Sequence, residues 1–290
     1  AKDLGRNQYH FFTEEINQQL IDRLELEGRL RRVLDNEELT LHYQPIYSLE
    51  RNFITGVEAL VRWRQPDGSL WGPYRFIPLA EEIGMIHAID NWVLRSALRT
   101  MAPWLSGSND AMRLALNISS QQLQMPGFHQ YVAEQLTANG VAPSQLELEI
   151  TERMLVDNSD STQENIQRLC EMGVRLSIDD FGTGYSSLGY LQNYPFHTLK
   201  IDRSFVCNIG INTHTARLID TIITMGHGLG MEIVAEGIES DLERQFLKAH
   251  GCDQGQGYLF SHPLPLEQLR PLLEKAVREL PSFSENHPDG

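Results

Sequence analysis

Eight short strand-like runs separated mostly by helical patterns, a tight link between the first two runs, and an acidic or amide side chain closing most runs point to one fold class. They predict an α/β chain folded as a TIM-like (β/α)8 barrel with an antiparallel first strand, preceded by a linker helix. The runs fall at 41–47, 54–61, 113–118, 145–151, 174–179, 198–201, 231–235 and 257–260. Helical patterns cover 91–104, 128–139, 161–171, 216–226, 241–250 and 266–279. Only the short stretch around Arg51-Asn52 joins the first two runs, which predicts a hairpin and a departure from regular βα order.

Ahead of the first strand, residues 13–38 are rich in Glu, Gln, Arg and Leu and place Ile16, Leu20, Leu24, Leu30 and Leu34 near helical spacing. This is an amphipathic linker helix, a packing element or a carrier of signals. Residues 281–290 are polar with two prolines and are expected to be disordered. Between 226 and 230, Gly226-His227-Gly228-Leu229-Gly230 resembles a fragment of a dinucleotide loop. It follows a helix and precedes a strand, the reverse of the Rossmann order, and reads as a helix stop.

Composition narrows the function. The chain has 290 residues, 41% apolar and 22% charged, the proportions of one large domain or two small ones. No stretch approaches the roughly 18 apolar residues of a spanning helix. The three cysteines, Cys170, Cys207 and Cys252, are far apart, which argues against a zinc knuckle or disulfide framework and fits a reducing compartment. A formal net charge of −15 argues against duplex nucleic acid and anionic lipid as partners. One small anionic ligand stays compatible if divalent cations neutralise a local acidic site.

Such a site is what the strand ends supply. Glu58, Asn117, Glu149, Glu152, Asp179, Asp180, Glu236 and Glu239, joined by Lys200 and Gln256, lie in or close apolar runs spread over the chain. Desolvating one carboxylate is costly unless it is paired or coordinated. A repeated set at barrel strand ends implies a shared site at one face. The sharpest local signal is Asp179-Asp180-Phe181-Gly182-Thr183-Gly184, in which adjacent carboxylates can ligate two cations and the glycines free the following loop. The Asn117-Ile118-Ser119 triplet also fits a glycosylation sequon, but its place at a strand end favours the ligand reading.

These residues sit in motifs that resemble the EAL domain, a bacterial phosphodiesterase family specific for cyclic di-GMP. The signature is Glu58-Ala59-Leu60 followed by Val61-Arg62-Trp63. Also matching are Tyr43-Gln44-Pro45-Ile46, Asn117-Ile118-Ser119, Glu149-Ile150-Thr151-Glu152, the Asp179-Asp180 loop, Lys200-Ile201-Asp202, Ala235-Glu236-Gly237-Ile238-Glu239 and Gln256-Gly257-Tyr258. The likeness spans residues 29–280, overlapping the end of the linker.

The resemblance implies that Glu58, Asn117, Glu149 and Asp179 hold one Mg2+ or Mn2+ ion, with Asp179 bridging to a second held by Asp180 and Glu236. It assigns catalysis to Glu58, Glu236 and Lys200, with Lys200 orienting or polarising the attacking water. Gln44, Leu60 and Arg62 would contact the dinucleotide. Glu152 would anchor the glycine loop, and Glu239 and Gln256 would support the metal and water network. The implied reaction is two-metal hydrolysis of cyclic di-GMP to linear pGpG; the alternative is a receptor that binds without cutting. His197 stands where the family more often carries an acidic residue. Residues 1–12 resemble the closing segment of a GGDEF domain, so the chain reads as part of a longer protein with upstream GGDEF or sensory domains. A homodimer and a cytoplasmic location are expected, with any membrane anchor in the full-length protein.

Overall fold

In the computed structural model, which describes residues 14–106, 112–156, 159–182 and 194–279, the strand runs close into a barrel of mixed direction. The segments 1–12 and 281–290 lie outside the described residues, as does most of the glycine loop after Asp180. Helix α1 spans Glu14–Leu30 and gives way to turns over 31–37 rather than continuing to 38. Strands β1 (Leu39–Ser48) and β2 (Ile54–Arg64) then form the expected antiparallel hairpin, from Leu39 opposite Trp63 to Tyr47 opposite Ile54. A two-residue strand β3 (Leu70–Trp71) adds to the outer edge of β2.

Parallel pairing then runs through β4 (Arg113–Asn117), β5 (Leu146–Thr151), β6 (Arg175–Phe181), β7 (Thr198–Ile201), β8 (Glu232–Ala235) and β9 (Gln254–Gly255). Strand β9 pairs antiparallel with β1 and closes the barrel. The last strand is therefore Gln254–Gly255, not the apolar run 257–260, which turns. The reason is a close approach: a Cβ on Gly257 would lie 2.2 Å from the backbone N and O of Ile238. The chain there bends to pair Ile238 N with Gln256 O and Leu259 N with Ile238 O.

The outer ring holds α2 (Ile77–Glu82), α3 (Ile86–Leu105), α4 (Ser120–Gln124), α5 (Phe128–Asn139), α6 (Asp160–Glu171), α7 (Arg203–Val206), α8 (Thr213–Gly228), α9 (Asp241–Ala249) and α10 (Leu266–Glu279). Helix α3 begins five residues before the sequence pattern indicates, and α2, six residues long with Pro78 in its first turn, is too short to leave a helical pattern of its own. Helix α9 starts with a capping box in which Ser240 and Glu243 satisfy each other's backbone N–H groups. Helix α8 stops at the glycine run, as expected, with the Leu229 and Gly230 N–H groups closing on Met225, Gly226 and His227 carbonyls.

Alternation along the strands stacks the barrel interior in three layers. The lowest is an ionic plug: Arg113 pairs with Glu232 across the barrel, and Arg175 reaches Glu232 at 3.1 Å and Glu147 at 3.3 Å. Buried Ile46, Ala115 and Val234 form a small apolar middle layer, beside fully buried Ser177. His197 belongs to the lower end, where its Nδ1 accepts from Leu176 N; burial and the nearby Arg175 hold the imidazole below its ordinary pKa. It is remote from the acidic layer that forms the top. No helix among the described residues is long and apolar enough to cross a membrane.

Candidate active site at the barrel mouth

Each side chain of the top layer is delivered by the strand that precedes it. Strand β2 supplies Glu58, β4 ends on Asn117, β5 supplies Glu149, β6 Asp179, β7 Lys200, and Glu236 and Gln256 follow β8 and β9. Lys200 is the hub, 1% exposed. Its Nζ lies 2.6 Å from Glu236 Oε1, 2.7 Å from Glu149 Oε1, 3.5 Å from Asp179 Oδ1 and 3.8 Å from Glu58 Oε2. Gln256 Nε2 donates to Glu58 Oε2 at 2.7 Å and Glu236 Oε1 at 3.1 Å, and Asn117 Nδ2 donates to Glu58 Oε1 at 2.7 Å.

Adjacent residues on a strand point to opposite faces, so Asp179 and Asp180 need a local device to serve one mouth. Strand β6 has it: from Ile178 to Phe181 it advances three residues while β7 advances two, from Leu199 to Ile201. Asp180 takes the extra step with φ of 55°, the left-handed region that Asp and Asn tolerate better than most residues bearing a side chain.

The electrostatics follow from burial. Desolvation pushes the Glu149 carboxyl well up, helped by the charge of Glu58, and takes Glu236 up to about 8 despite the adjacent ammonium. Burial and then Asp179 raise Asp180. Burial alone would lower Lys200, but the four carboxylates outweigh it and hold the amine well above its usual value. Lys200 is thus a fixed cation and donor.

Among the described residues no three acidic, histidine or cysteine side chains converge at metal-ligating spacing, because the Lys200 ammonium occupies the centre. The donor set nonetheless fits hard divalent ions. It is all oxygen with one amide, and buried Glu149 Oε2 and Gln256 Oε1 have no hydrogen-bond partner among the described residues. With all five carboxyl groups ionised, Glu58, Glu149, Asp179, Asp180 and Glu236 against Lys200 give −5 + 1 = −4, the charge two divalent cations cancel, so cation binding would displace the protons that burial retains on Glu149 and Glu236. Those residues could hold the ions, with Asn117 beside them.

The remaining expected residues fall in three places. Gln44 is buried beside the cluster and donates to Ser261 O at 3.1 Å, and Leu60 and Arg62 rise above Glu58 on the same strand face. Burial draws the Arg62 guanidinium below its ordinary value. Glu152 starts a short 3-10 helix after β5, with both carboxylate oxygens buried and unpartnered among the described residues. The glycine loop it was expected to anchor lies, from Thr183 onward, outside those residues. Glu239 is not brought to the cluster: it sits on the rim, paired with Arg203 at 2.8 Å.

A cleft of about 750 Å3 adjoins the cluster, lined by Leu60, Tyr74, Pro78, Asn117, Ser119 and Arg153 among others. Sequence reasoning missed Asp90 in its wall. That carboxylate, buried and raised to about 6 by desolvation, accepts from the hydroxyl and N–H of Ser119, two residues after Asn117. The available signal was an acid on the otherwise apolar stripe of Ile86, Ile89, Val93 and Leu94.

A mixed barrel with carboxylates gathered round a lysine at its mouth defines a class of site suited to oxygen-liganded cations and an anionic ligand. The chain belongs to the EAL domain family, whose model matches residues 27–263. It is 42% identical over 273 residues, 94% of its length, to the cyclic di-GMP phosphodiesterase NbdA of Pseudomonas aeruginosa. To the bifunctional diguanylate cyclase/cyclic di-GMP phosphodiesterase MucR of the same organism it is 41% identical over 269 residues, 93% of its length. It spans 35% and 39% of those relatives' own lengths. Among solved structures, the PaMucR phosphodiesterase in complex with c-di-GMP superimposes with a TM-score of 0.80 at 40% identity, covering 84% of this chain and 99% of that one. The EAL enzyme Bd1971, bound to cAMP and cyclic di-GMP, gives 0.84 at 32% identity, covering 90% and 72%.

Proposed function

We propose that this chain hydrolyses cyclic di-GMP to linear pGpG with two bound Mg2+ or Mn2+ ions. The observation that carries the reading is the cluster of carboxyl groups around Lys200 beside the cleft, in a chain of the EAL family. Glu58, Asn117, Glu149 and Asp179 would hold one ion and Asp179, Asp180 and Glu236 the other. When bound, the ions supply Lewis acidity for water activation and neutralise phosphate charge.

The chain's own groups do the rest. Lys200, kept protonated by its neighbours, donates hydrogen bonds from a fixed point and orients the attacking water in line with the scissile bond. Gln256 links Glu58 to Glu236 and keeps the two halves of the acidic layer in register. Gln44, Leu60 and Arg62 lie where a dinucleotide would be held, with Arg62 offering charge to a phosphate. The same reading takes the chain as one part of a longer signalling protein, in keeping with the share of its relatives that it spans, and expects it to act as a dimer.

Chromatography of cyclic di-GMP incubated with the purified chain tests this. Linear dinucleotide with Mg2+ or Mn2+ and none with chelator is the expected result. Intact nucleotide in every tube, from folded protein that binds it, would overturn hydrolysis in favour of a receptor.

A further inference from the structure

Glu239 was expected to support the acidic network, yet it stands on the rim, and its partner explains what it does there. Residues 236–239 form an irregular loop after β8. At its start Glu236 contacts Lys200 and Gln256; at its end Glu239 Oε1 meets Arg203 Nη2 at 2.8 Å. Between them Gly237 has φ of 67° and lies directly under the Arg203 stem: a Cβ there would be 2.2 Å from Arg203 Cγ and 2.7 Å from its Cβ. Glycine is needed at this position both for the backbone angle and for the space. Arg203 is itself fixed, as the first residue of α7, whose cap Asp202 accepts from Ser204 N at 3.0 Å.

We propose that Arg203 is a positioning residue for Glu236: its stem roofs Gly237 and its guanidinium latches Glu239, so the loop holds Glu236 toward the second-cation half of the site. Both partners of the ion pair are about half exposed, so the pair adds little to global stability. Its effect is local, on the aim of one ligand. Groups that orient a metal ligand typically change metal affinity by roughly 10–100-fold when removed. The proposal rests on the two-cation reading above.

The test is Mn2+ titration of the whole chain by calorimetry, with the melting temperature followed alongside. In wild type two sites are expected. Arg203→Ala should weaken one of them by about 10–100-fold, leave the other within about twofold and leave the melting temperature nearly unchanged. Arg203→Lys, which keeps stem and charge, should restore most of the loss, and Glu239→Gln should reproduce part of it. Equal affinities in wild type and Arg203→Ala overturn the proposal. So does equal weakening of both sites with a lower melting temperature, since Arg203 would then be a general stabiliser. A wild type that takes up no Mn2+ removes the two-cation reading, and the placement of Arg203 falls with it.

Discussion

Replacing Lys200 by methionine keeps the bulk of a buried stem and removes the positive charge at the centre of the acidic layer. The ammonium lies 2.6–2.7 Å from two carboxylates and within 3.8 Å of two more. Taking one partner from a buried charged set leaves the other uncompensated, which costs about 3–5 kcal/mol. In chelator the Lys200→Met variant should lose that much by urea unfolding followed by circular dichroism. Adding Glu149→Gln deletes the carboxylate whose Oε1 faces Nζ most closely after Glu236. The double variant should therefore be less destabilised than the sum of the singles, by a coupling of roughly 1–3 kcal/mol. Saturating Mn2+ should recover part of the loss in the single variant, about 2.7 kcal/mol at 100 times the dissociation constant, because the ion supplies the missing counter-charge. A loss below about 1 kcal/mol, or strictly additive singles, would refute the view that Lys200 is the counter-ion of this layer.

Asp90 gives a pH signature. Its folded pKa of about 6 exceeds the unfolded value of about 3.9. The native state therefore holds the proton more tightly, and this contribution to stability, about 3 kcal/mol, is present below pH ~4 and lost as pH rises through ~6. Unfolding measured across that window should flatten in Asp90→Asn; an unchanged slope would place the titration elsewhere. Gly257→Ala pushes a methyl into the Ile238 backbone and should cost about 2–3 kcal/mol in chemical denaturation, with a weaker affinity for divalent ions because neighbouring Gln256 shifts.

Apolar continuity made the barrel legible. Runs such as Leu114, Ala115 and Leu116 or Leu199 and Ile201 are buried on both faces and read as strands without their partners. The eighth strand failed that criterion because Gln254 and Gly255 carry no apolar side chain, while Leu259 and Phe260 attracted the assignment from a turn. The acids of the site were readable because each interrupts an aliphatic run. The bulge at Asp180 was not, since register is a property of two strands. Nor was the Arg203 to Glu239 pair, which joins the start of α7 to a loop 36 positions on in sequence and depends on the bareness of Gly237. Asp90 hid within a helix whose other buried positions are apolar, and its links to the mouth, the contact with Ser119 and a place in the cleft wall, are tertiary.

The reversed first strand has a wiring consequence. In an all-parallel barrel the chain is fed in at the pole opposite the reacting groups, and anything tethered upstream sits a barrel's height away from them. Here β1 begins opposite Trp63, at the mouth end of β2, so α1 docks at the working pole instead. Arg29 lies 4.9 Å over the Trp63 ring and Arg23 pairs with Glu82 of α2, the helix that also carries the Pro78 of the cleft wall. The 17 residues of α1 reach about 25 Å. A module joined to its far end would hold a lever whose short arm rests on the rim of the cleft.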